Sequence, residues 1–484
     1  MHRIVSKYRA LPVQARASLW FLICSFMQKG VSTITTPIFT RIMSTNEYGN
    51  YGVFNSWMGI ISIFVTLQLF SGLYEQGLVK FSDERSIFSS SLQGLNLTLC
   101  IIWTLIYLPF RSFWNGVFSL TTVQMLVMLA LIWTSSVFRF WSAEQRVEYK
   151  YKYLVIITLL VSILNPVLSV YFVLHAEDKV TARILGILIA ELIGYTGLFF
   201  LQMRRGKTFY SSKFWKYSIL FALPLIPHYL AQIVLASSDR IMIQRLVGES
   251  QAGIYTLAYT ISSVMTLFNT ALSQTISPWI YQKIKDGKTN EIAGVSYIAM
   301  FFIGALNLFL IVLAPEIVHI FAPTSYYEAI WTIPPVAMSV YFIFMYDFFA
   351  KFEFYYEKRV FIMIASIAGA LLNVVLNYLL IPVFGYIAAG YTTLFCYIAY
   401  VIGHYVFMRR VVSQNIGNIH VYSPRILLGL SCSLLILGFA FSVTYLNNYV
   451  RYTVLIILII LIVVFRKRIY EKANVLLEKR KKND

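Results

Sequence analysis

Apolar residues in this chain gather in blocks of roughly 20, divided by short polar stretches, and that spacing sets the class of fold. A helix rising about 1.5 Å per residue needs about 20 residues to cross about 30 Å of hydrocarbon. A membrane barrel would instead show alternating segments of about ten residues, a pattern this chain lacks. The blocks predict spans at 17–38, 52–72, 88–109, 117–138, 153–173, 184–203 and 217–237. The second half adds 254–274, 292–314, 331–350, 360–383, 387–407, 426–445 and 450–465. The expectation is an all-α, polytopic membrane protein with about 14 transmembrane helices. The division of 360–407 rests on Gly385, and the short last span on Arg451 and Arg466 reaching out to its two interfaces.

Composition agrees: of 484 residues, 58% are hydrophobic and 13% charged, and the mean hydropathy is +0.69, which excludes an ordinary cytosolic protein. The net charge of +19 does not point to nucleic acid, because the basic residues lie between apolar blocks and no soluble module is left to carry a binding motif. It reports topology. With the N-terminus inside, inward segments hold 32 of the 40 Lys and Arg and outward segments seven, Lys29 lying within span 1. Lys and Arg stay on the cytoplasmic side, so both termini are expected there. The basic start and apolar run resemble a signal peptide. The 16-residue lead, the Lys inside the run and the lack of a small-x-small cleavage site make span 1 part of the mature protein.

No loop between spans exceeds about 18 residues, which leaves no room for an embedded catalytic or nucleotide-binding domain. Gly206-Lys207-Thr208 lacks the glycine five positions earlier, where Leu201 stands, and marks topology rather than a phosphate loop. Cys24, Cys100, Cys396 and Cys432 lie singly in four blocks and read as packing residues. No cofactor or metal site is expected.

Two stretches recur in order. Arg41-Ile-Met-Ser-Thr-Asn-Glu-Tyr-Gly49-Asn-Tyr51 aligns without gaps, 204 residues later, with Arg245-Leu-Val-Gly-Glu-Ser-Gln-Ala-Gly253-Ile-Tyr255. Ile163-Leu-Asn165-Pro-Val-Leu168 matches Leu371-Leu-Asn373-Val-Val-Leu376 at an offset of 208. The expectation is two pseudo-symmetric six-helix lobes, 1–206 and 207–424, with two appended helices in 425–466 and a basic cytoplasmic tail, 467–484. An even number of spans per lobe makes the repeats parallel, as in one class of transporters.

Polar groups inside spans cost several kcal/mol unless they face protein or water, and so mark candidate sites. Lys29 lies about 18 Å into span 1, near the midplane. Ser25, Ser32, Thr33, Thr36 and Thr40 share its face, and a hydrated central cavity explains the stripe. For Lys29 two readings stand open: contact with an anionic substrate, or an ion pair with Glu191 or Asp347, the only deep acids. His228, Gln232 and Asp239 repeat the pattern in span 7, after Pro224 and Pro227, which predict a kink. Asp239 with Arg240 reads as a capping or gating pair or as part of a binding site, and His228 as a proton carrier or a packing residue. Asn373 and Asn377 read first as interhelical hydrogen-bonding groups.

Thr40-Arg41-Ile-Met-Ser-Thr-Asn-Glu47-Tyr48-Gly49-Asn-Tyr51 resembles the loop after span 1 in flippases of lipid-linked oligosaccharides. So do Leu223-Pro224-Leu-Ile-Pro227, Ser238-Asp239-Arg240 and Ala252-Gly253-Ile-Tyr255. Asn373-Val-Val-Leu-Asn377-Tyr-Leu-Leu-Ile-Pro382-Val-Phe-Gly385-Tyr-Ile-Ala388-Ala389-Gly-Tyr-Thr392 is similar to the most specific pattern of that family. The resemblance implies the multidrug, oligosaccharidyl-lipid and polysaccharide exporter superfamily. Within it, it implies the branch that carries undecaprenyl-pyrophosphate-linked O-antigen or capsule repeat units across the bacterial inner membrane. It implies a transporter and not an enzyme, a lipid-linked oligosaccharide substrate, and a polysaccharide polymerase and chain-length regulator as candidate partners. Its candidate substrate-binding residues are Lys29, Thr33, Thr36, Arg41, Glu191, His228, Gln232, Asp239, Arg240, Asn373 and Asn377. An ion-coupled drug or cation antiporter would want a carboxylate in the place of Lys29. A membrane glycosyltransferase or polymerase would need catalytic acids or arginines in an outer loop, and no outer loop holds more than two basic residues.

Overall fold

The computed structural model describes residues 13–457 and 460, which are helical with no strand among them. Each of the first 13 predicted spans falls largely on helix, though span 8 is divided between two helices by a break at Ser263–Val264 and span 2 leaves helix after Thr66. In chain order these are α1 (Val13–Ile42), α2 (Thr45–Thr66), the short α3 (Leu73–Lys80), α4 (Arg85–Tyr107), the short α5 (Arg111–Phe118) and α6 (Thr122–Val147). Then follow α7 (Lys152–His175), α8 (Lys179–Gly206), α9 (Ser212–Ala222), α10 (Ile226–Leu246), α11 (Glu249–Ser262) and α12 (Met265–Lys285). The chain continues with α13 (Ile292–Val312), the short α14 (Ala314–Phe321), α15 (Ile333–Tyr355), α16 (Arg359–Phe384), α17 (Ile387–Asn415) and α18 (Pro424–Val443). Span 14 is helical over 448–457 and otherwise lies, with the basic tail, outside the described residues. Among the described residues, ten segments are long and apolar enough to cross a membrane. The helices of spans 1, 2 and 8 miss that measure, since their polar residues lower the mean.

Local chemistry sets the boundaries. Ser44 and Glu47 form a capping box at the start of α2, the Ser44 N–H donating to Glu47 Oε2 at 2.6 Å, and Thr121 with Gln124 does the same for α6. Pro224 stands in a 3-10 turn, Leu223–Leu225, that divides span 7 into α9 and α10, the kink expected there. Gly385, at φ +73°, takes the left-handed conformation that separates α16 from α17. Span 4 corrects the sequence reading: its helix does not stop at 138 but runs on to Val147, carrying Arg139 and Arg146 with it.

By proximity the described chain forms two compact units. The first takes the chain up to Leu257 with Phe321–Tyr326 and Ser366–Ala389; the second takes Ala258–Ile320, Tyr327–Ala365 and the chain from Gly390. Inside the first unit, α2 and the start of α11 cross at the duplicated motif. A Cβ on Gly49 would stand 2.1 Å from the Glu249 carbonyl oxygen, and one on Gly253 would stand 2.1 Å from the Thr45 carbonyl oxygen. One on Gly52 would meet Thr256 Oγ1 at 2.3 Å. The contacts are reciprocal at the 204-residue offset, Gly49 meeting Glu249 as Gly253 meets Thr45, while Gly52 meets its own counterpart Thr256; this is the isologous contact that a two-fold relation between repeats gives. On that contact we propose the lobes 1–206 and 207–424 as a division by duplication rather than by proximity.

Other contacts lock the same region. Thr40 Oγ1 donates to the Phe321 carbonyl at 2.6 Å, and Tyr326 donates to the Ser44 carbonyl at 3.2 Å. Burial pushes the Tyr326 phenol well above its usual range, so it stays a donor. Arg183, assigned to an outer loop by sequence, is buried, its guanidinium lying 3.8 Å from the centre of the Phe39 ring and 3.5 Å from that of Tyr51.

Candidate binding cavity in the first unit

On α6, Ser135, Arg139, Ser142 and Arg146 follow one another at intervals of four, three and four, and helical geometry puts them on one face over about 16 Å. This polar stripe forms a wall of a cavity of about 400 Å³. Gln28 of α1, Ser71, Glu75 of α3 and Glu191 of α8 complete its polar lining, with Phe70, Phe138 and Tyr195 as aromatic neighbours.

The charges are not spent alike. Glu191 is held by hydroxyls: Thr134 donates to Oε2 at 2.5 Å, and Ser135 lies 3.1 and 3.0 Å from Oε1 and Oε2. Arg139 stands within electrostatic reach of Glu191 and lies over the Phe70 ring at 4.6 Å. Neither Arg139 nor Arg146 forms an ion pair among the described residues, and both are exposed to the cavity. Two guanidinium forks whose donors are free among the described residues, beside Glu191 with its oxygens already engaged and with Glu75 as the one other carboxylate of the lining, suit a bidentate oxyanion such as phosphate.

Of the sequence candidates, Glu191 lines this cavity. Lys29 is half-buried and forms no ion pair among the described residues; the pairing with Glu191 is not made, and Asp347 is bonded instead to Lys351. The Lys29 ammonium lies within electrostatic reach of the Arg240 guanidinium, so a second pair of cations collects in the same unit. The hydroxyl stripe beside Lys29 bonds largely to its own helix. Thr33 donates to the Lys29 carbonyl at 2.9 Å and Thr36, enclosed, to that of Ser32 at 3.0 Å. Arg41 is exposed and donates to the Pro37 carbonyl. His228 is half-buried with a buried Nδ1 that has no hydrogen-bond partner among the described residues, and Gln232 is exposed.

Asp239, Asn373 and Asn377 come together as an enclosed network. The Asp239 carboxylate accepts from Tyr255 and from Asn377, each at 2.6 Å, and Asn373 Oδ1 accepts from Asn377 at 3.1 Å. All three are buried, which gives the asparagines the interhelical role and leaves the open surface to the arginines. Sequence reasoning missed Arg139 and Arg146 because they were counted as loop charges. The signal that finds them is the Ser-x3-Arg-x2-Ser-x3-Arg stripe running past the predicted end of span 4.

This arrangement defines a polytopic helical fold with a charged cavity. Residues 15–284 match the polysaccharide biosynthesis protein family, and the chain belongs to that family. Protein 1 of the Lsg locus of Haemophilus influenzae is 23% identical over 394 residues, 74% of this chain and 88% of that one. A membrane protein of the same organism is 21% identical over 366 residues, 73% and 86% of the two chains. The fold is that of the lipid II flippase MurJ in an inward closed conformation, with a TM-score of 0.70 at 14% identity over 93% of this chain and 99% of that one. It is shared by an inward-facing multidrug resistance MATE transporter of the MOP superfamily, with a TM-score of 0.64 at 16% identity over 80% and 95%.

Proposed function

We propose that this chain is a flippase that carries undecaprenyl-pyrophosphate-linked oligosaccharide repeat units, of O-antigen or capsule, from the cytoplasmic to the periplasmic leaflet of the bacterial inner membrane. Both termini lie in the cytoplasm, by the distribution of basic residues. The observation that carries the reading is the pair of unpaired guanidinium groups, Arg139 and Arg146, lining a cavity inside a chain of this family. A pyrophosphate bearing several sugars cannot enter hydrocarbon, whereas its polyprenyl tail is at home there. Arg139 and Arg146 offset the phosphate charge; Ser135, Ser142 and Gln28 replace water around it, and the tail stays in lipid. Access alternates between the two faces as helices rock. Lys29 and Arg240 form a second cationic station on the same route.

The test is deletion of the gene. Complete lipid-linked repeat units should accumulate, unpolymerised, on the cytoplasmic face, and complementation should restore surface polysaccharide. Loss of their synthesis would sink the reading in favour of a transferase. A drug or cation antiporter is the second reading, favoured by the fold shared with MATE transporters and by Glu191 in the cavity. It requires that the deletion strain become drug-sensitive while its polysaccharide stays intact.

A further inference from the structure

The span-4 stripe of the first unit has a counterpart 212 residues on: Ser135, Arg139 and Arg146 correspond to Asp347, Lys351 and Lys358. The counterpart is wired differently. Lys351 is buried and ion-paired with Asp347, four residues before it on α15. Ser273 of α12 donates to Asp347 Oδ2 at 2.5 Å, and Lys351 donates to Ser273 Oγ at 3.2 Å. Where the first unit leaves Arg139 open, the second neutralises its counterpart, Lys351, internally. What stays open is the other carboxylate oxygen, Asp347 Oδ1, which accepts no bond from the described residues on a side chain 37% exposed.

That oxygen belongs to a longer strip. Ser273, Ser277 and Tyr281 occupy i, i+4 and i+8 on α12, and Asp347, Lys351 and Tyr355 do the same on α15. The two rows are joined at one end by the Ser273–Asp347 bond and at the other by the rings of Tyr281 and Tyr355, whose centroids lie 6.2 Å apart with planes 25° from parallel. Eight residues of helix span about 12 Å, enough for two or three sugar rings. Thr270 and Gln274, on the same side of α12, are exposed as well.

A carboxylate oxygen with free acceptor capacity, hydroxyls and an aromatic floor, without net charge, is the chemistry that takes a neutral polyol. Sugar hydroxyls donate to the carboxylate, and the C–H face of a pyranose ring lies on tyrosine. We infer that the α12–α15 strip of the second unit binds the sugar part of the substrate. The assignment rests on the substrate class proposed above.

The test uses the full chain in nanodiscs with two probes: inorganic pyrophosphate, and the free repeat-unit oligosaccharide cut from the surface polysaccharide of the producing strain. Tyr355→Leu, and Asp347→Asn combined with Lys351→Met so that no buried cation is stranded, should each weaken oligosaccharide binding roughly tenfold or more and leave pyrophosphate binding unchanged. Tyr355→Phe should keep oligosaccharide binding, because it keeps the ring. Arg139→Ala should show the reverse pattern, losing pyrophosphate and keeping sugar. Wild-type oligosaccharide affinity in Tyr355→Leu and in the Asp347/Lys351 double variant would overturn the sugar strip, as would loss of both probes together in folded protein. The outcome separates from that of the gene deletion. Strip-dependent sugar binding with no accumulated lipid-linked units would leave the strip standing and remove the flippase reading.

Discussion

Arg139 and Arg146 illustrate how a residue's meaning depends on where its helix ends. In the sequence both stand just past an apolar block, where a lysine or arginine ordinarily marks the cytoplasmic face, and only the continuation of α6 to Val147 turns them into a cavity wall. If they hold phosphate, Arg139→Ala should lower apparent affinity about 10- to 100-fold, the worth of one charge-assisted hydrogen-bonded contact of about 1.5–3 kcal/mol. Arg139→Lys should recover part of that, since it keeps the charge but loses the fork. Surface polysaccharide display measured beside membrane protein level checks both; normal display with Arg139→Ala and Arg146→Ala combined would remove the phosphate site. Lys29→Ala should act in the same direction, and normal display there would remove the second station. Asp239, Asn373 and Asn377 were visible as polar residues in spans, but their meeting was not, because it joins positions more than 130 residues apart. Asn377→Leu takes a donor from a buried carboxylate and should cost about 2–4 kcal/mol. A drop in the thermal midpoint of the detergent-solubilised protein, without a specific loss of pyrophosphate binding, is the expected reading.

Among elements, the block length alone placed the first 13 spans, since hydrocarbon thickness fixes how long an apolar run must be. The short helices α3, α5 and α14 escaped it, being eight residues each and too short for a span-length window. The crossing of α2 and α11 was half legible: the repeat of Gly49 at Gly253 could be seen, while the reason for glycine at both places needed the backbone distances. With a Cβ at 2.1 Å from a backbone oxygen on either side, Gly49→Ala or Gly253→Ala must push the helices apart, at a cost of about 1–3 kcal/mol or more. Each should reduce folded protein in the membrane, whereas Gly116→Ala, where a Cβ meets nothing within 4 Å, should not. The second unit has its own tie between elements. His404 of α17 and Glu353 of α15 are both enclosed, with Nδ1 2.8 Å from Oε2. Glu353→Leu or His404→Leu alone should cost about 3–5 kcal/mol by stranding a buried polar partner, and the double variant should recover much of it. Equal losses in the single and double variants would show that the pair is not the tie.

At the scale of the whole molecule, charge and fold make different demands on the same helices. Basic residues ordinarily mark the cytoplasmic end of a helix, and part of that basic set lines the cavity, so the proposed orientation and the proposed phosphate site draw on one pool of side chains. The orientation can be tested apart from function at positions that touch neither. Ser325, in the turn between α14 and α15, and Ser413, near the end of α17, are both exposed, and the distribution of lysine and arginine assigns them to opposite faces. With Cys24, Cys100, Cys396 and Cys432 replaced, a single cysteine at Ser325 should react with a membrane-impermeant maleimide added to cells whose outer membrane has been made permeable. One at Ser413 should react only after the inner membrane is opened. None of the four is in a disulfide among the described residues, and three of them are buried, so small replacements of similar volume suit them. Labelling of Ser413 in cells with an intact inner membrane would invert every loop at once, because a chain of alternating spans has only two orientations. It would place the Arg146 end of the α6 stripe at the periplasmic face, the side where the proposed substrate is released rather than the one where it is made.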